Sequence, residues 1–309
     1  MTTTHLALVG PTASGKTQVA LEVARTFGDI EIVSVDSMQV YRGLDVGTAT
    51  PTPAERTTVA HHLIDVADPS EDWSVARFQS AARGAVAEIE ARGHRALLVG
   101  GTGLYVQAVV DDLHFPGEDL ELRAELEAWT SEPGGVAAAY AEVSARDPDA
   151  AARIDPHNAR RIVRALEVIR LTGKPFSSFG PGVSTFGPTA FPVRLAGIWL
   201  PRPVLADRIA RRFAGMREAG LLDEVRGLAG TNGGLSRTAR QAIGYKELLA
   251  HLEGAEPSVD AAFETATRRT RSFARRQRMW FRRDPRVTWY GAGENPASIL
   301  PALLASWSG

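Results

Sequence analysis

Apolar residues occupy every position but the first of HLALV (His5–Val9), which predicts a short buried strand. From Lys16 to Phe27 the apolar positions shift to a helical period, and Ile30–Val35 is a second, β-branched run that delivers Asp36 at its end. The chain therefore opens strand, loop, helix, strand. A helix is predicted over Val75–Ala91, with Gly93 just past its end, and Ala96–Val99 returns as a strand running into GGTG. Strands that alternate with helices predict an α/β fold: a mainly parallel sheet with helices on both faces.

Between Pro116 and about Thr172 the alternation stops. ELRAELEAW, GGVAAAYAEV and RRIVRALEVIRL are helical in pattern and separated by proline and glycine breaks. After a Gly, Pro, Ser and Thr-rich loop (Ser177–Pro192), Val193–Leu200 resumes as a strand. Helices follow at Val204–Met216 and around Ala261–Arg283, and Arg286–Tyr290 reads as a last strand. The pattern predicts a core formed by residues 1–115 and 190–309, interrupted by an all-helical insertion at 116–189.

The 309 residues, 44% of them hydrophobic, suffice for one large or two modest domains. The absence of cysteine excludes disulfides and thiolate metal sites and argues against zinc chemistry. No export signal and no uninterrupted apolar run of about eighteen residues is present, so a cytoplasmic protein without a membrane partner is expected. The formal net charge of −1 points to no strongly charged partner, but it averages over an uneven distribution.

GPTASGKT (Gly10, Pro11, Thr12, Ala13, Ser14, Gly15, Lys16, Thr17) fits the phosphate-loop pattern and lies where that pattern works, between a strand and a helix. Its glycines let backbone amides converge on phosphate oxygens, Lys16 adds a positive charge, and the Thr17 hydroxyl can bind Mg²⁺. A nucleotide triphosphatase usually ends a second apolar strand in a Mg²⁺-binding aspartate. Here ALLVGGTG ends in Gly100, Gly101 and Thr102 instead. The carboxylate comes from Asp36, at the edge of the sheet where ligands of open α/β folds bind. It can accept a proton from a nucleophile, cap a helix or bind Mg²⁺.

Residues 268–286, RRTRSFARRQRMWFRRDPR, hold nine arginines and one acid. As a helix this segment would turn Phe273, Met279 and Trp280 inward and spread the arginines over the exposed arc, a composition suited to a phosphate backbone. A bland basic surface and an acidic protein partner remain open on composition alone. In RRIVRALEVIR, Ile162, Val163, Leu166 and Ile169 form a stripe from which Arg160, Arg161 and Arg164 diverge, either as a second basic surface or as a solvated face.

Taken in order, GPTASGKT, VDSMQVYRGLDVGTA, HHLIDV, LLVGGTGLY, RALEV, QAIGYKE and ARRQRMWFRRDPRV resemble the bacterial tRNA dimethylallyltransferase family over nearly the whole chain. The resemblance implies a P-loop core with a helical insertion. It also implies transfer of a dimethylallyl group from dimethylallyl diphosphate to the exocyclic amine of the adenosine 3′ of the tRNA anticodon. The loop Gly10–Thr17 would then hold the donor's diphosphate with Mg²⁺ at Thr17. Asp36 would accept the amine proton, with Thr102 and Arg123 beside the reacting centre and Arg212 joining Lys16 on the diphosphate.

By the same resemblance the tRNA contacts are Asp36, Ser37, Met38 and Gln39, then Arg160, Arg161, Ile162, Val163 and Arg164. Those at the C-terminal side are Gln241, Gly244, Tyr245 and Lys246, followed by Arg275, Arg276, Gln277, Arg278, Trp280 and Arg282. The protein is expected to act as a monomer on the anticodon stem-loop. His61 and His62 are assigned structural roles. The family often carries lysine where Thr50 stands, which leaves open whether a basic residue such as Arg42 substitutes. An isopentenyltransferase of free adenine nucleotides would need the cradle and Asp36 but no arginine surfaces. A small-molecule P-loop kinase would not need the insertion, and an RNA-binding module would leave the cradle idle.

Overall fold

The fold is a computed structural model that describes residues 3–111, 113–180 and 182–308. It divides into two units, residues 1–111 with 188–309, and residues 112–187. The first unit runs β1 (His5–Val9), α1 (Lys16–Phe27), β2 (Ile30–Val35), α2 (Pro53–Thr58), β3 (His61–His62), α3 (Val75–Ala91), β4 (Arg95–Gly100) and α4 (Gly103–Val110). The second unit holds α5 (Leu120–Ser131), α6 (Gly135–Arg146), α7 (Pro148–Ala151) and α8 (Ala159–Thr172). The first then resumes with β5 (Val193–Trp199), α9 (Arg202–Glu218), α10 (Leu221–Ala229), α11 (Tyr245–Leu252), α12 (Val259–Phe281), β6 (Val287–Gly291) and α13 (Leu300–Trp307).

The six strands form one sheet in the order β3-β2-β4-β1-β5-β6, and every pairing is parallel. Alternate residues feed opposite layers, as the two-residue period of a strand requires. Leu6 and Leu8 pack with Val19, Val23, Ile198 and Leu303 on the α1 and α13 side, while Ala7 and Val9 pack with Phe78, Val106 and Phe281 on the other. The strand β1 lies between β4 and β5, so its carboxyl end opens at a crossover of the sheet, where such folds bind ligands.

Boundaries differ from the sequence reading where a cap or a proline decides them. Helix α9 begins two residues early because Pro203 sits in its first turn, where it lacks no needed donor. Helix α12 starts at Val259 because Ser258 Oγ accepts a hydrogen bond from the Ala261 amide. Helix α4 carries no amphipathic period, since Tyr105–Val110 are all buried. Its apolar run therefore gave no helical signal.

The helical unit has its own core of Leu126, Ala139, Val143, Ile154, Ile162 and Leu166. Asp119 caps α5 and Asn158 caps α8, each accepting from first-turn amides. No helix among the described residues is long and apolar enough to cross a membrane.

Candidate active site

Gly10, Ala13 and Gly15 take positive φ (154°, 61° and 88°), which curls the loop after β1 into a cradle. At Ala13, an L-residue with a side chain, this conformation costs about 1–2 kcal/mol. Arg208 on α9 holds it: its Nε donates to the Ala13 carbonyl at 2.8 Å. The Pro11 carbonyl accepts from Lys16 Nζ at 2.8 Å and from the Ser14 amide at 3.3 Å. Ser14 Oγ is buried without a hydrogen-bond partner among the described residues, a donor suited to an incoming phosphate oxygen. A Cβ on Gly15 would stand 2.5 Å from Pro296, so the turn Pro296–Ile299 closes directly on the loop.

A cavity of about 700 Å³ opens from this loop and is lined by Lys16, Thr17, Asp36, Gln39, Arg208, Arg212 and Gln277, among others. Asp36 leaves the carboxyl end of β2, and its Oδ1 accepts from the Met38 amide at 2.9 Å, which fixes the carboxylate. Its Oδ2 takes no hydrogen bond from any described residue. Arg212 spans the cavity wall, donating to Thr12 Oγ1 at 3.3 Å and to the Thr48 carbonyl at 3.1 Å. Burial lowers the Arg212 pKa while Asp36 opposes the shift. For Lys16, burial outweighs Asp36 and Arg212 adds to it, so its ammonium is pulled down to about 7.

The loop that presents Thr48 is held from below. Glu224 on α10 accepts from the amides of Asp45, Val46 and Gly47, and from Tyr245 Oη at 2.5 Å. Gly47 is required because a Cβ would meet the Tyr245 ring at 2.3 Å. Nothing in the sequence marks Glu224, one acid among several on a short helix. Arg208 was legible in principle, since it precedes Arg212 by one helical turn and must share its face.

Thr102, at the N-cap of α4, follows Gly101, which lines the cavity. His61 lines the cavity too, with Nδ1 on the Val59 carbonyl at 2.7 Å and Nε2 buried without a hydrogen-bond partner among the described residues. His62 instead pairs with Glu31 at 2.7 Å. Arg42 faces Asp68 at 3.8 Å and does not replace the missing lysine at Thr50, whose hydroxyl bonds Thr48 Oγ1 at 2.7 Å. Lys16, Arg208, Arg212 and Arg25, the last paired with Glu22, carry the cavity's positive charge.

The arginine strip is helical, but its buried line is Ala266, Thr270, Ala274, Gln277 and Phe281. Met279 is exposed and Phe273 and Trp280 only half-buried, which corrects the inward set expected from sequence. Polar Gln277 and Thr270 were not legible as inner positions. Arg275, Arg276, Arg282 and Arg283 are exposed. Burial lowers the Arg278 pKa, and the crowding cations Arg202 and Arg282 add to the shift, as a surface awaiting anions would. Arg269 pairs with Glu247, and Arg286 with Asp284 and Asp111 at 2.7 and 2.6 Å, so these two belong to the scaffold.

Several residues expected at a tRNA surface have buried side chains instead. Tyr245 is fully buried under the Thr48 loop, Gln277 lies inside, and Gly244 is the positive-φ start of α11, its amide donating to Glu247. Gln241 and Lys246 remain exposed and bond each other at 2.8 Å.

In the helical unit Arg160 and Arg161 are exposed, whereas Ile162 and Val163 are core residues and cannot reach a ligand. Arg164 turns inward to Glu167 and to the carbonyls of Pro116 and Gly117. Arg123 is likewise fixed on the buried Glu167, with both Glu167 oxygens 2.9 Å from its Nη2. Burial would raise the Glu167 carboxyl, but bonds from Arg164, the Asp119 amide and Arg123 hold it below its ordinary value.

A phosphate loop on the central strand of a parallel sheet, faced by a fixed carboxylate and two arginines, defines a P-loop protein that binds a phosphorylated substrate for transfer chemistry. Within that class the chain belongs to the IPP transferase family, whose model matches residues 39–284. A second model, isopentenyl transferase, matches residues 3–68. The chain is 49% identical over 306 residues to a tRNA dimethylallyltransferase of Kineococcus radiotolerans, covering 97% of this chain and 95% of that one. It is 46% identical to one of Streptomyces coelicolor, covering 97% and 94%.

Among solved structures, the tRNA isopentenylpyrophosphate transferase of Bacillus halodurans superposes with a TM-score of 0.72 at 40% identity, covering 99% and 96% of the chains. A eukaryotic dimethylallyltransferase acting on tRNA gives 0.79 at 25% identity, covering 99% and 77%.

Proposed function

We propose that the protein transfers the dimethylallyl group of dimethylallyl diphosphate to the exocyclic amine of the adenosine immediately 3′ of the anticodon in tRNA, releasing diphosphate. The observation that carries this reading is the placement of Asp36, Lys16 and Arg212 around one cavity, an acid facing two cations. The bond from the allylic carbon to the diphosphate oxygen breaks as the amine nitrogen bonds that carbon. Negative charge gathers on the leaving oxygens, where Lys16, Arg212 and the loop amides stabilise it. The amine proton passes to Asp36, whose carboxylate Met38 already holds in place.

Exposed Thr17, on the first turn of α1 and lining the cavity, offers a hydroxyl oxygen that suits Mg²⁺, which keeps few protein ligands and prefers phosphate oxygens. Bound there with the diphosphate, the ion would neutralise charge on the leaving group. The exposed arginines of α12 and Arg160 and Arg161 serve the tRNA, and the enzyme works as a monomer in the cytoplasm.

Radiolabelled dimethylallyl diphosphate tests the proposal. Label should move to unmodified tRNA bearing an adenosine 3′ of its anticodon, without ATP. Label on AMP or ADP alone would instead assign the free-nucleotide reaction, and no transfer to either would overturn both.

A further inference from the structure

Gln277 is an amide in the buried line of an arginine-rich helix, and its carboxamide makes two bonds to distant segments. Oε1 accepts from the Thr12 amide at 2.8 Å, and Nε2 donates to the Gly101 carbonyl at 2.8 Å. Gln277 is 6% exposed; its bond to Gly101 is buried and its bond to Thr12 lies at the edge of the cavity. Gly101 leaves space for it: a Cβ there would stand 2.5 Å from Nε2.

The Thr12 amide and the Pro11 carbonyl belong to one planar peptide, with its N–H and C=O on opposite sides. Lys16 Nζ and the Ser14 amide hold the carbonyl side, while among the described residues only Gln277 holds the amide side. Without Gln277 that peptide is held on its carbonyl side only, and an unpaired amide favours its turning. Its rotation would release the carbonyl that fixes Lys16 and shift Thr12 Oγ1, which Arg212 contacts. Two cations of the cavity thus depend on the orientation of one peptide plane.

We infer that Gln277 is a positioning residue of the phosphate loop: it fixes the Pro11–Thr12 peptide so that Lys16 and Arg212 converge on the substrate's diphosphate. It acts on the diphosphate and not on RNA, although it lies in the segment whose outer face carries the exposed arginines. The inference rests on the reading of the loop as a diphosphate site, and it is independent of which group is transferred.

Binding of inorganic diphosphate and of tRNA, measured separately by calorimetry on Gln277→Leu and Gln277→Glu, tests it. Leaving the Thr12 amide and Gly101 carbonyl unpaired in Gln277→Leu should weaken diphosphate binding about tenfold, with tRNA affinity unchanged. In Gln277→Glu the introduced carboxyl, protonated near about pH 6 by burial, can still donate to Gly101 and accept from Thr12. Its diphosphate affinity relative to the unaltered protein should therefore approach unity at that pH and fall as pH rises. A buried residue with only a structural role would lower the melting temperature of Gln277→Leu and leave its diphosphate affinity unchanged, and Gln277→Glu would then differ only by the repulsion of its ionised carboxylate at higher pH.

Diphosphate affinity unchanged in Gln277→Leu, or in Gln277→Glu across that range, or a loss confined to tRNA, would overturn the inference. Should Gln277→Leu not fold, an unchanged ratio in Gln277→Glu still overturns it. Failure of the unaltered protein to transfer a dimethylallyl group would reject the proposed reaction while leaving these diphosphate measurements to decide the role of Gln277.

Discussion

Gly103 and Trp280 are in contact so close that a Cβ built on the glycine would stand 2.3 Å from Cδ1 of the indole. The start of α4 and the last turns of α12 meet there with no room for a methyl group. Gly103→Ala should destabilise the protein by about 1–3 kcal/mol, because the backbone or the indole must shift to admit the methyl group. Denaturant unfolding would measure it; a change under about 0.5 kcal/mol, as expected for an unconstrained surface site, would mean the contact is loose.

Asp36→Asn keeps an oxygen for the Met38 amide and removes the acceptor for the amine proton. Its turnover number should fall by about 10²–10⁴ while tRNA affinity stays within a few-fold. Single-turnover kinetics with saturating substrates would separate the two, and an unaltered chemical step would remove Asp36 from the reaction.

Lys16, lowered to about 7 from its ordinary 10.5, is largely neutral at pH 8 in the free protein. A bound diphosphate restores the charge, so binding at pH 8 should take up about one proton. Calorimetry in buffers of different ionisation enthalpy reads that number directly, and Lys16→Met should abolish it. The unfolded chain holds this proton up to higher pH than the folded one. Lys16 therefore adds to stability as pH rises from about 7 towards 10.5.

Arg276→Ala with Arg282→Ala should weaken tRNA binding and reduce its salt slope by about one per arginine, because both side chains are exposed. Arg286→Ala should leave the slope unchanged and lower stability, because Asp111 and Asp284 lose their shared partner. Equal slopes in all variants would place the RNA elsewhere.

Glu31 receives Arg92, opposed by its own burial and joined by His62 and His94, and its carboxyl is held at about 2 against an ordinary 4.5. The sign for a depressed acid is stability present above 4.5 and lost as pH falls towards 2. Glu31→Gln should cost about 1–3 kcal/mol at pH 7 and flatten the acid limb of the unfolding curve.

Local pattern carried much of the fold. The ranges His5–Val9, Lys16–Phe27, Ile30–Val35 and Val75–Ala91 follow from periodicity and caps, and the phosphate loop from its own spacing. Helix α4 escaped because it is buried on all sides, and α11 because Tyr245 and Leu249 face inward in a segment of only eight residues. At the site, Asp36 and Lys16 are legible because each ends or begins an element. The meaning of GGTG is not, since Gly101 and Gly103 answer to Gln277 and Trp280 on a helix far along the chain. Nor could composition sort the arginines, because pairing with Glu247 or Asp111 is decided by tertiary neighbours.

The seating of the phosphate loop by Gln277 and Pro296 also sets an order of events during translation. Residues 10–17 leave the ribosome ahead of the two groups that shape them, which emerge some 260 residues or more later. Until α12 is made, GPTASGKT lacks both Gln277 and Pro296. A chain that stops before α12 carries the motif without the two groups that seat it.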